Sequence, residues 1–310
     1  MARKWLLMGL LLFGVVGWGG CAGAPASPGG NGRLNVIATT TIVGDVVKQV
    51  GGDAIALTVL LPVGADPHTF DPSPQDMAKV TNAGIVFANG AGLEAFLERL
   101  LENAGGGADV VYVSDGLTLI EGGHAEDKQD DHEDEGADPH TWTDPNNVLH
   151  WVDNVEAALS RLDPAHAATY KANADAYRAQ LRDLDAWVRE QVSTIPAENR
   201  KLVTDHATYA YFAERYGFEQ IGAVVPGYST AAQPSAQSLA DLEDRIVTFG
   251  VKAVFVGKTV NPALAQRVAD DTGIKLVTLY TGSLTDSGGE ADSYLNYVRY
   301  NVMAIVEGLR

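Results

Sequence analysis

The chain has very little cysteine: Cys21 is the one cysteine among its 310 residues. An internal disulfide needs two cysteines, so no disulfide within the chain stabilises its fold. Basic residues are also few, since 22 Lys and Arg face 40 Asp and Glu and give a formal net charge of −18. Nucleic-acid binding depends on Lys and Arg at phosphates, and this composition argues against it. The acidic excess is instead compatible with an exported, soluble body that attracts cations.

A long apolar run is missing as well. The apolar stretch at residues 5–16 is shorter than the roughly 20 residues that a membrane-spanning helix needs. Arg3 and Lys4 precede it, and small residues follow it at 17–22. A basic start, a short apolar run and a small-residue zone are the pattern of a secretory signal peptide, which we assign to residues 1–21.

Cys21 ends this segment, directly after two glycines. The arrangement resembles the lipobox of bacterial lipoproteins, in which the cysteine is lipidated and becomes the mature N-terminus. Trp18 departs from the leucine usual three residues before that cysteine, so ordinary signal cleavage nearby is the alternative. Residues 22–33 consist mainly of Gly, Pro, Ala, Ser and Asn, which predicts a flexible tether.

A five-residue motif, Asp-Pro-His-Thr followed by an aromatic residue, occurs twice in the chain. Residues 66–70 read Asp-Pro-His-Thr-Phe, and residues 138–142 read Asp-Pro-His-Thr-Trp. Proline fixes its own φ and biases the preceding residue toward extended geometry, so each copy is a stiff turn that holds one imidazole at a set angle. The two histidines, His68 and His140, are therefore candidate ligands of one shared metal ion. Two ordinary Asp-Pro turns, with histidines that cap the next segments, are the alternative.

Strand-like runs alternate with amphipathic helical segments in both halves of the remaining chain. Strands are predicted at 34–38, 54–61, 85–88, 110–113, 202–204, 220–225, 253–256 and 276–279, and helices at 41–50, 74–82, 92–103, 209–216, 238–249, 262–272 and 292–309, with Ser238 as the N-cap of the helix at 238–249. Strands joined through single helices form crossover units and parallel sheets. We therefore predict an α/β fold of two lobes, at 34–163 and 193–310, each with a parallel sheet flanked by helices.

A long helix is predicted between the lobes, at 164–192. Its apolar residues fall at spacings of four and three and form one continuous stripe: Tyr170, Ala174, Tyr177, Leu181, Leu184 and Val188. A helix of this length reaches about 40 Å, enough to run along both lobes. One stiff helix packed on both lobes restricts hinge motion, so we expect limited lobe movement on ligand binding.

Residues 121–138 have a different composition. Nine of these eighteen residues are Asp or Glu, and His124 and His132 lie among them. Without apolar periodicity, the segment is predicted to be a mobile loop of the first lobe. It is either a solvent-exposed surface loop without a binding role or an accessory loop that binds divalent metal ions weakly through these two histidines.

A third histidine, His206, completes a ligand set. It follows the strand at 201–204, as His68 follows the second strand and His140 follows the acidic loop. Open parallel sheets bind ligands at the carboxyl ends of their strands, and three imidazoles there make most of a tetrahedral zinc site. His150 and His166 lie on helical segments and are interpreted as surface or packing residues.

Several ordered motifs resemble a known family. They are Gly-Ala-Asp-Pro-His-Thr-Phe at 64–70, Asn-Gly at 89–90 with Leu93-Glu94, Asp-Pro-His-Thr-Trp at 138–142, His206 with Tyr211-Phe212, and Asp-Ser-Tyr at 292–294 with Arg299-Tyr300-Asn301. From about residue 35 to the C-terminus, the chain resembles the metal-binding solute-binding lipoproteins of bacterial zinc and manganese ABC transporters, the TroA-like family.

The resemblance implies two lobes joined by one long rigid helix, with the metal ion in the cleft between them. His68, His140 and His206 fall on the family's ligand positions. The implied function is an extracytoplasmic zinc receptor that hands its ion to a membrane permease with a cytoplasmic ATPase. Such a receptor is expected to be a monomer in the periplasm or at the outer face of the cytoplasmic membrane, held there only by a lipid at Cys21.

The chain departs from the family at one ligand. An Asp-Ser-Leu segment after the last strand usually supplies a carboxylate, but residues 282–284 here read Gly-Ser-Leu. Gly282 has no side chain that can coordinate a metal ion. Either Asp286 or a water molecule is expected to complete the coordination, with Glu290 as a weaker candidate.

Zinc is the expected cargo and manganese the alternative. Nitrogen-rich sites suit zinc, whereas manganese prefers more oxygen ligands. In the family, manganese-specific members often carry glutamate at the position of His206, so histidine there favours zinc. The missing carboxylate at Gly282 and the acidic loop favour zinc as well.

Two other functions are alternatives to metal transport. Three histidines with a water molecule also form a catalytic zinc site, as in a secreted zinc hydrolase. The sequence has no His-Glu-x-x-His motif, because its one His-Glu pair is His132-Glu133 in the acidic loop, and no general base stands beside the ligands. We therefore expect a receptor and not an enzyme. A cell-adhesion role on the same fold is a further possibility that the sequence leaves open.

Overall fold

Two parallel sheets of four strands organise the chain. The computed structural model describes residues 32–121 and 136–310. The first sheet has the order β2-β1-β3-β4 and contains β1 (Leu34–Ala38), β2 (Ile55–Val59), β3 (Ile85–Ala88) and β4 (Asp109–Tyr112). The second has the order β6-β5-β7-β8 and contains β5 (Lys201–Thr204), β6 (Glu219–Ala223), β7 (Ala253–Gly257) and β8 (Lys275–Leu279). The predicted α/β fold of two parallel-sheet lobes is confirmed.

Helices connect the strands and cover the sheets. They are α1 (Thr41–Gly51), α2 (Pro74–Thr81), α3 (Leu97–Asn103), α4 (Pro145–Leu162), α5 (Ala167–Ser193), α6 (Ala210–Tyr216), α7 (Ala236–Phe249), α8 (Ala263–Thr272) and α9 (Tyr294–Leu309). Helix α4, which packs against α5, was not predicted as a separate element. Across the described ranges, 32–121 and 136–310, no helix has the length and apolarity to cross a bilayer.

Helix α3 begins five residues later than predicted, because Glu94 organises a turn before it. Its Oε1 accepts the backbone N–H of Asn89 at 2.7 Å, and its Oε2 accepts that of Gly90 at 3.1 Å. The chain between them passes through positive φ at Ala91 (53°) and Gly92 (84°), which a helix does not allow. The side chain of Asn89 donates to the carbonyl of Pro139 at 2.9 Å, so this turn supports the second Asp-Pro-His motif.

Helix α7 begins two residues earlier than predicted, and Ser238 is not its N-cap. The Oγ of Ser235 accepts the backbone N–H of Ser238 at 3.0 Å, which is the N-cap bond to the third helical residue. Two serines three residues apart both satisfy the sequence preference for a cap. Only the backbone geometry distinguishes them, with Ser235 in the extended conformation.

Helix α5 joins the lobes as one 27-residue element. The predicted apolar stripe is buried along its length, from Tyr170 to Val188. The helix packs against α1 and α4 on the side of the first lobe and against α9 on the side of the second. The apolar side chains of these four helices belong to one continuous core that spans both lobes.

Direct hydrogen bonds also cross between the lobes near the carboxyl end of β8. The backbone N–H of Leu284 donates to Thr41 Oγ1 at 2.8 Å, and Ser283 Oγ accepts the N–H of Gly64 at 2.9 Å. The hydroxyl of Tyr294 donates to the carbonyl of Trp142 at 2.7 Å. The segment after β8 thus forms the second-lobe wall of a narrow cleft against the first Asp-Pro-His turn.

Candidate metal centre

The three histidines predicted as ligands meet in this cleft. His68 lies in the turn after β2, His140 directly precedes the short 3-10 helix Thr141–Thr143, and His206 follows β5 by two residues. The Nε2 of His140 is 3.1 Å from the Nε2 of His68 and 3.2 Å from the Nε2 of His206. Nitrogen ligands at 2.0–2.1 Å in a tetrahedron around zinc stand roughly 3.3 Å apart, so the spacing fits one shared ion.

In each copy of the repeated motif, the aspartate side chain accepts a hydrogen bond from the backbone of the histidine. Asp66 Oδ1 accepts the N–H of His68 at 3.0 Å, and Asp138 Oδ1 accepts the N–H of His140 at 2.9 Å. A side-chain oxygen bonded to the N–H two residues on is the local turn that aspartate favours. The repetition in sequence is therefore a repetition of one turn that presents an imidazole.

Two carboxylates also orient the rings of the buried histidines. Asp138 Oδ1 lies 2.8 Å from Nδ1 of His140, and Asp205 Oδ1 lies 2.8 Å from Nδ1 of His206. A carboxylate that accepts the Nδ1–H fixes the tautomer in which Nε2 is free to bind a metal ion. The other oxygen of Asp205 accepts the backbone N–H of Gly257 at 2.7 Å, which ties this pair to β7.

Burial keeps two of the imidazoles, those of His68 and His140, neutral. His140 and His206 are buried, and His68 is half-buried. Burial, assisted by the charge of His206, lowers the pKa of His68 to about 4, and burial sets the pKa of His140 well below its ordinary value. Burial also raises the pKa of Asp138 to about 7, and a cation on His140 would favour its ionised form. At neutral pH these two histidines are therefore in the form that binds a metal ion.

The pocket that the three histidines line has room for one ion or one water molecule. The three histidines share its wall with side chains and backbone from both lobes: Asp66, Pro67, Trp142, Thr208, Thr230, Thr259, Thr281 and Gly282. The space open to the centre of a water-sized sphere is only about 10 Å³. This volume fits a single ion or water molecule and excludes a larger substrate.

Asp286 is not placed at the pocket. It is exposed, and it does not line the pocket, although Gly282 does. A tight turn sets its position, since the N–H of Gly289 donates to the carbonyl of Asp286 at 3.0 Å and the N–H of Thr285 donates to the carbonyl of Ala291 at 3.0 Å. Glu290, on the same turn, is also exposed and does not line the pocket.

The other predicted residues lie elsewhere. His150 Nε2 contacts the carbonyl of Asp115 at 2.7 Å, and His166 Nδ1 contacts the carboxylate of Asp163 at 2.7 Å, which gives both a local structural role. Cys21, His124 and His132 lie outside the described residues.

The sequence interpretation missed two aspartates of the site. Asp138 was assigned to the acidic loop, but it is fully buried, and its N–H donates to the carbonyl of Ile120 at 2.8 Å. Asp205 was not singled out at all. The sequence does contain a signal for both, because an aspartate lies one or two residues before each of the three histidines.

Known proteins are similar to this chain over most of its length. The family described as zinc-uptake complex component A periplasmic (ZnuA) matches residues 36–308. The manganese-binding lipoprotein MntA of Halalkalibacterium halodurans is 33% identical over 295 residues, which cover 94% of this chain and 93% of the relative. The metal ABC transporter substrate-binding lipoprotein ScbA of Streptococcus cristatus is 32% identical over 317 residues, which cover 99% of each chain.

Solved structures share the fold as well. The periplasmic zinc-binding protein TroA from Treponema pallidum superposes with a TM-score of 0.81 at 27% identity, over 90% of this chain and 99% of that one. The Mn-bound periplasmic metal-binding protein from Candidatus Liberibacter asiaticus gives a TM-score of 0.79 at 26% identity, over 90% of this chain and all of the other. The chain therefore belongs to the ZnuA family and is a periplasmic metal-binding receptor of an ABC transporter, not an enzyme.

Proposed function

We propose that this receptor carries zinc and binds it through His68, His140 and His206. The convergence of their three Nε2 atoms, at 3.1 and 3.2 Å, carries the proposal. The carboxylates nearby serve other partners: Asp138 and Asp205 contact the Nδ1 atoms of the histidines, and Asp66 accepts from the backbone. A ligand set made of nitrogen suits zinc better than manganese.

Manganese is the second candidate, because relatives such as MntA are named as manganese-binding. A manganese site prefers oxygen ligands, so it would require a carboxylate to leave its present partner and turn inward. Asp66 is the side chain best placed to do so, since it lines the pocket and its Oδ2 accepts a neutral hydroxyl, that of Thr230, at 2.6 Å.

The names of its relatives support a location and a partner for this receptor. MntA and ScbA are named lipoproteins, which supports lipidation of Cys21 and attachment to the outer face of the membrane. The name of ScbA as the substrate-binding part of an ABC transporter supports a permease with a cytoplasmic ATPase as the partner. We further propose that the receptor acts as a monomer and that His124 and His132 collect metal ions weakly.

Uptake in cells is the decisive measurement, because zinc outcompetes manganese at almost any nitrogen site in solution. A strain that lacks the receptor should lose cell zinc under chelation, keep its manganese, and regain growth with added zinc. The wild-type gene should restore uptake, and a His206→Ala gene should not. Rescue by manganese alone, with loss of cell manganese, would identify manganese as the cargo.

The acidic loop has its own test. Replacement of residues 122–135 by a short Gly-Ser linker keeps Asp138 and the isolated bridge between Glu121 and Ala137. The tight zinc site should remain at one ion per chain, and only weaker additional ions should be lost in a calorimetric titration. Loss of the tight site from this variant would contradict the accessory role of the loop.

A further inference from the structure

A cavity of the second lobe adjoins the three-histidine pocket. Its volume is about 440 Å³, compared with about 10 Å³ for the pocket, so it has room for an ion together with several water molecules. His206 and Thr230 line both spaces. The cavity and the pocket therefore meet at these two residues.

Two segments of the second lobe form the walls of this cavity. One lies in the loop after β6, residues 224–234, and the other is residues 260–265 at the start of α8. Gln233, Asn261 and Leu264 line the cavity and are exposed, so it opens to solvent between the two segments. A path thus runs from solvent to His206.

The loop after β6 is fastened near its start and exposed at its tip. The N–H of Ala207 donates to the carbonyl of Gly227 at 2.9 Å, and Gly227 has a φ of 89°. Residues 231–233 beyond it are exposed. Between them, the hydroxyl of Thr230 donates to Asp66 of the first lobe at 2.6 Å. Once this bond breaks, the outer part of the loop can move about Gly227, because glycine has wide backbone freedom.

The two lobes are held together by other contacts that do not involve this loop. Thr41 Oγ1 accepts the N–H of Leu284 at 2.8 Å, and the hydroxyl of Tyr294 donates to the carbonyl of Trp142 at 2.7 Å. The core around α5 is also continuous between the lobes. Separation of the lobes would break these bonds and expose core side chains to water, so displacement of the loop is the less costly way to uncover the histidines.

Carboxylates stand on both sides of the partition between cavity and pocket. Asp205 lines the cavity, and Asp66 lines the pocket. When Thr230 withdraws, Oδ2 of Asp66 loses this hydroxyl donor and becomes free to attract an ion. Negative groups along a narrow path raise the local concentration of cations. The lining of the path therefore suits a divalent cation.

We propose that zinc enters and leaves the three-histidine pocket sideways, through this cavity, when the loop after β6 moves, while the two lobes stay closed. This route rests on the proposed three-histidine zinc site. The cavity then has a function of its own, exchange of the ion, and the contact between Thr230 and Asp66 closes it.

A disulfide across the lobes distinguishes the two ways of uncovering the histidines. Thr41 Oγ1 and Ser283 Oγ lie 3.4 Å apart, so cysteines at both positions are close enough to be joined. Oxidised Thr41→Cys/Ser283→Cys should load and release zinc as fast as Thr41→Ala/Ser283→Ala, which has no link, with Cys21→Ser in both. Stopped-flow mixing with zinc measures loading, and mixing with a coloured chelator measures release. Slower exchange in the linked form would show that the lobes must separate, and would overturn the proposal.

A bulky group at the rim of the cavity should block the route. Ala232 is exposed and lines the cavity, so a maleimide adduct of Ala232→Cys, again with Cys21→Ser, obstructs it. Loading and release should both slow about tenfold, the effect of a barrier about 1.4 kcal/mol higher, and the Kd should stay the same because both rates change alike. The matched control is the same adduct on Val247→Cys, a side chain 70% exposed on α7, which should exchange zinc at the wild-type rate.

Unchanged rates in the Ala232 adduct would likewise overturn the proposal. Failure of the zinc site itself gives a different result, since His140→Ala would then keep its zinc affinity. A wrong route leaves the loss of affinity in His140→Ala intact.

Discussion

Thr230 Oγ1 donates a hydrogen bond to Asp66 Oδ2 across the cleft, at 2.6 Å. The other oxygen of Asp66 accepts the backbone N–H of His68, so a single carboxylate links this histidine of the first lobe to the loop after β6 of the second. Tyr228 of the same loop faces the ring of His140, with 6.4 Å between centroids. The loop thus closes over the histidines through Asp66.

Loss of this contact should speed metal release. Thr230→Val keeps the shape of the side chain and removes the donor to a charged acceptor, so the dissociation rate of zinc should rise about tenfold. Stopped-flow transfer of zinc to a coloured chelator measures this rate. Thr230→Ser keeps the hydroxyl and should release zinc at the wild-type rate, whereas equal rates in the wild type and Thr230→Val would show that the contact does not hold the ion.

Loss of a ligand should have a larger effect. His140→Ala removes the imidazole whose Nε2 faces both other ligands, and zinc affinity should fall by more than the roughly 10–100-fold that changes around a metal ligand produce. Competition with a chelator of known affinity measures the change. The matched control is His150→Ala, a histidine bonded to the carbonyl of Asp115, which should bind zinc as the wild type does.

Asp138→Asn separates metal binding from stability. The amide is a weaker acceptor for Nδ1–H of His140, so zinc affinity should fall about 10–100-fold. The metal-free protein should respond in the opposite direction at pH 8. Because burial raises the pKa of Asp138 to about 7, its carboxyl stabilises the fold when protonated and loses that contribution as the pH rises through 7. The asparagine variant avoids this loss, so its Tm in EDTA at pH 8 should equal or exceed that of the wild type. A lower Tm there would contradict the pKa shift.

The histidines should make the metal-free fold sensitive to acid. His68 has a pKa of about 4 in the folded chain and an ordinary value of 6.5, so between these values the unfolded state binds more protons and the free energy of unfolding falls as the pH falls. His68→Gln removes this contribution.

Asp138 acts in the opposite direction over this whole range, because its pKa is raised from 3.8 to about 7. The comparison of the two proteins is therefore informative, and the pH dependence of the wild type alone is not. The Tm of His68→Gln relative to the wild type, measured in EDTA, should rise as the pH is lowered from 6.5 to 5. A constant difference would show that His68 titrates normally in the folded chain.

The convergence of His68, His140 and His206 could be predicted from the sequence, because the features that place each histidine are local. A rigid Asp-Pro-His turn and a histidine just after a strand place imidazoles at the strand ends, where parallel sheets expose them. The close approach of Pro67 to Gly282, where an added Cβ would lie 2.8 Å from Cδ of the proline, could not be predicted, since it joins different lobes. Asp286 was a candidate through its nearness in sequence to Gly282, but the backbone bonds that close the turn around it keep it at the surface.

The packing of helix α5 also bears on the heat-capacity change expected for zinc binding. Burial of apolar surface on binding gives a negative heat-capacity change, and receptors that close two separate lobes on a ligand bury a large area. Here the apolar core is already continuous from α1 and α4 through α5 to α9. An ion that enters this chain finds little apolar surface left to remove from water, so the heat of zinc binding should vary only weakly with temperature.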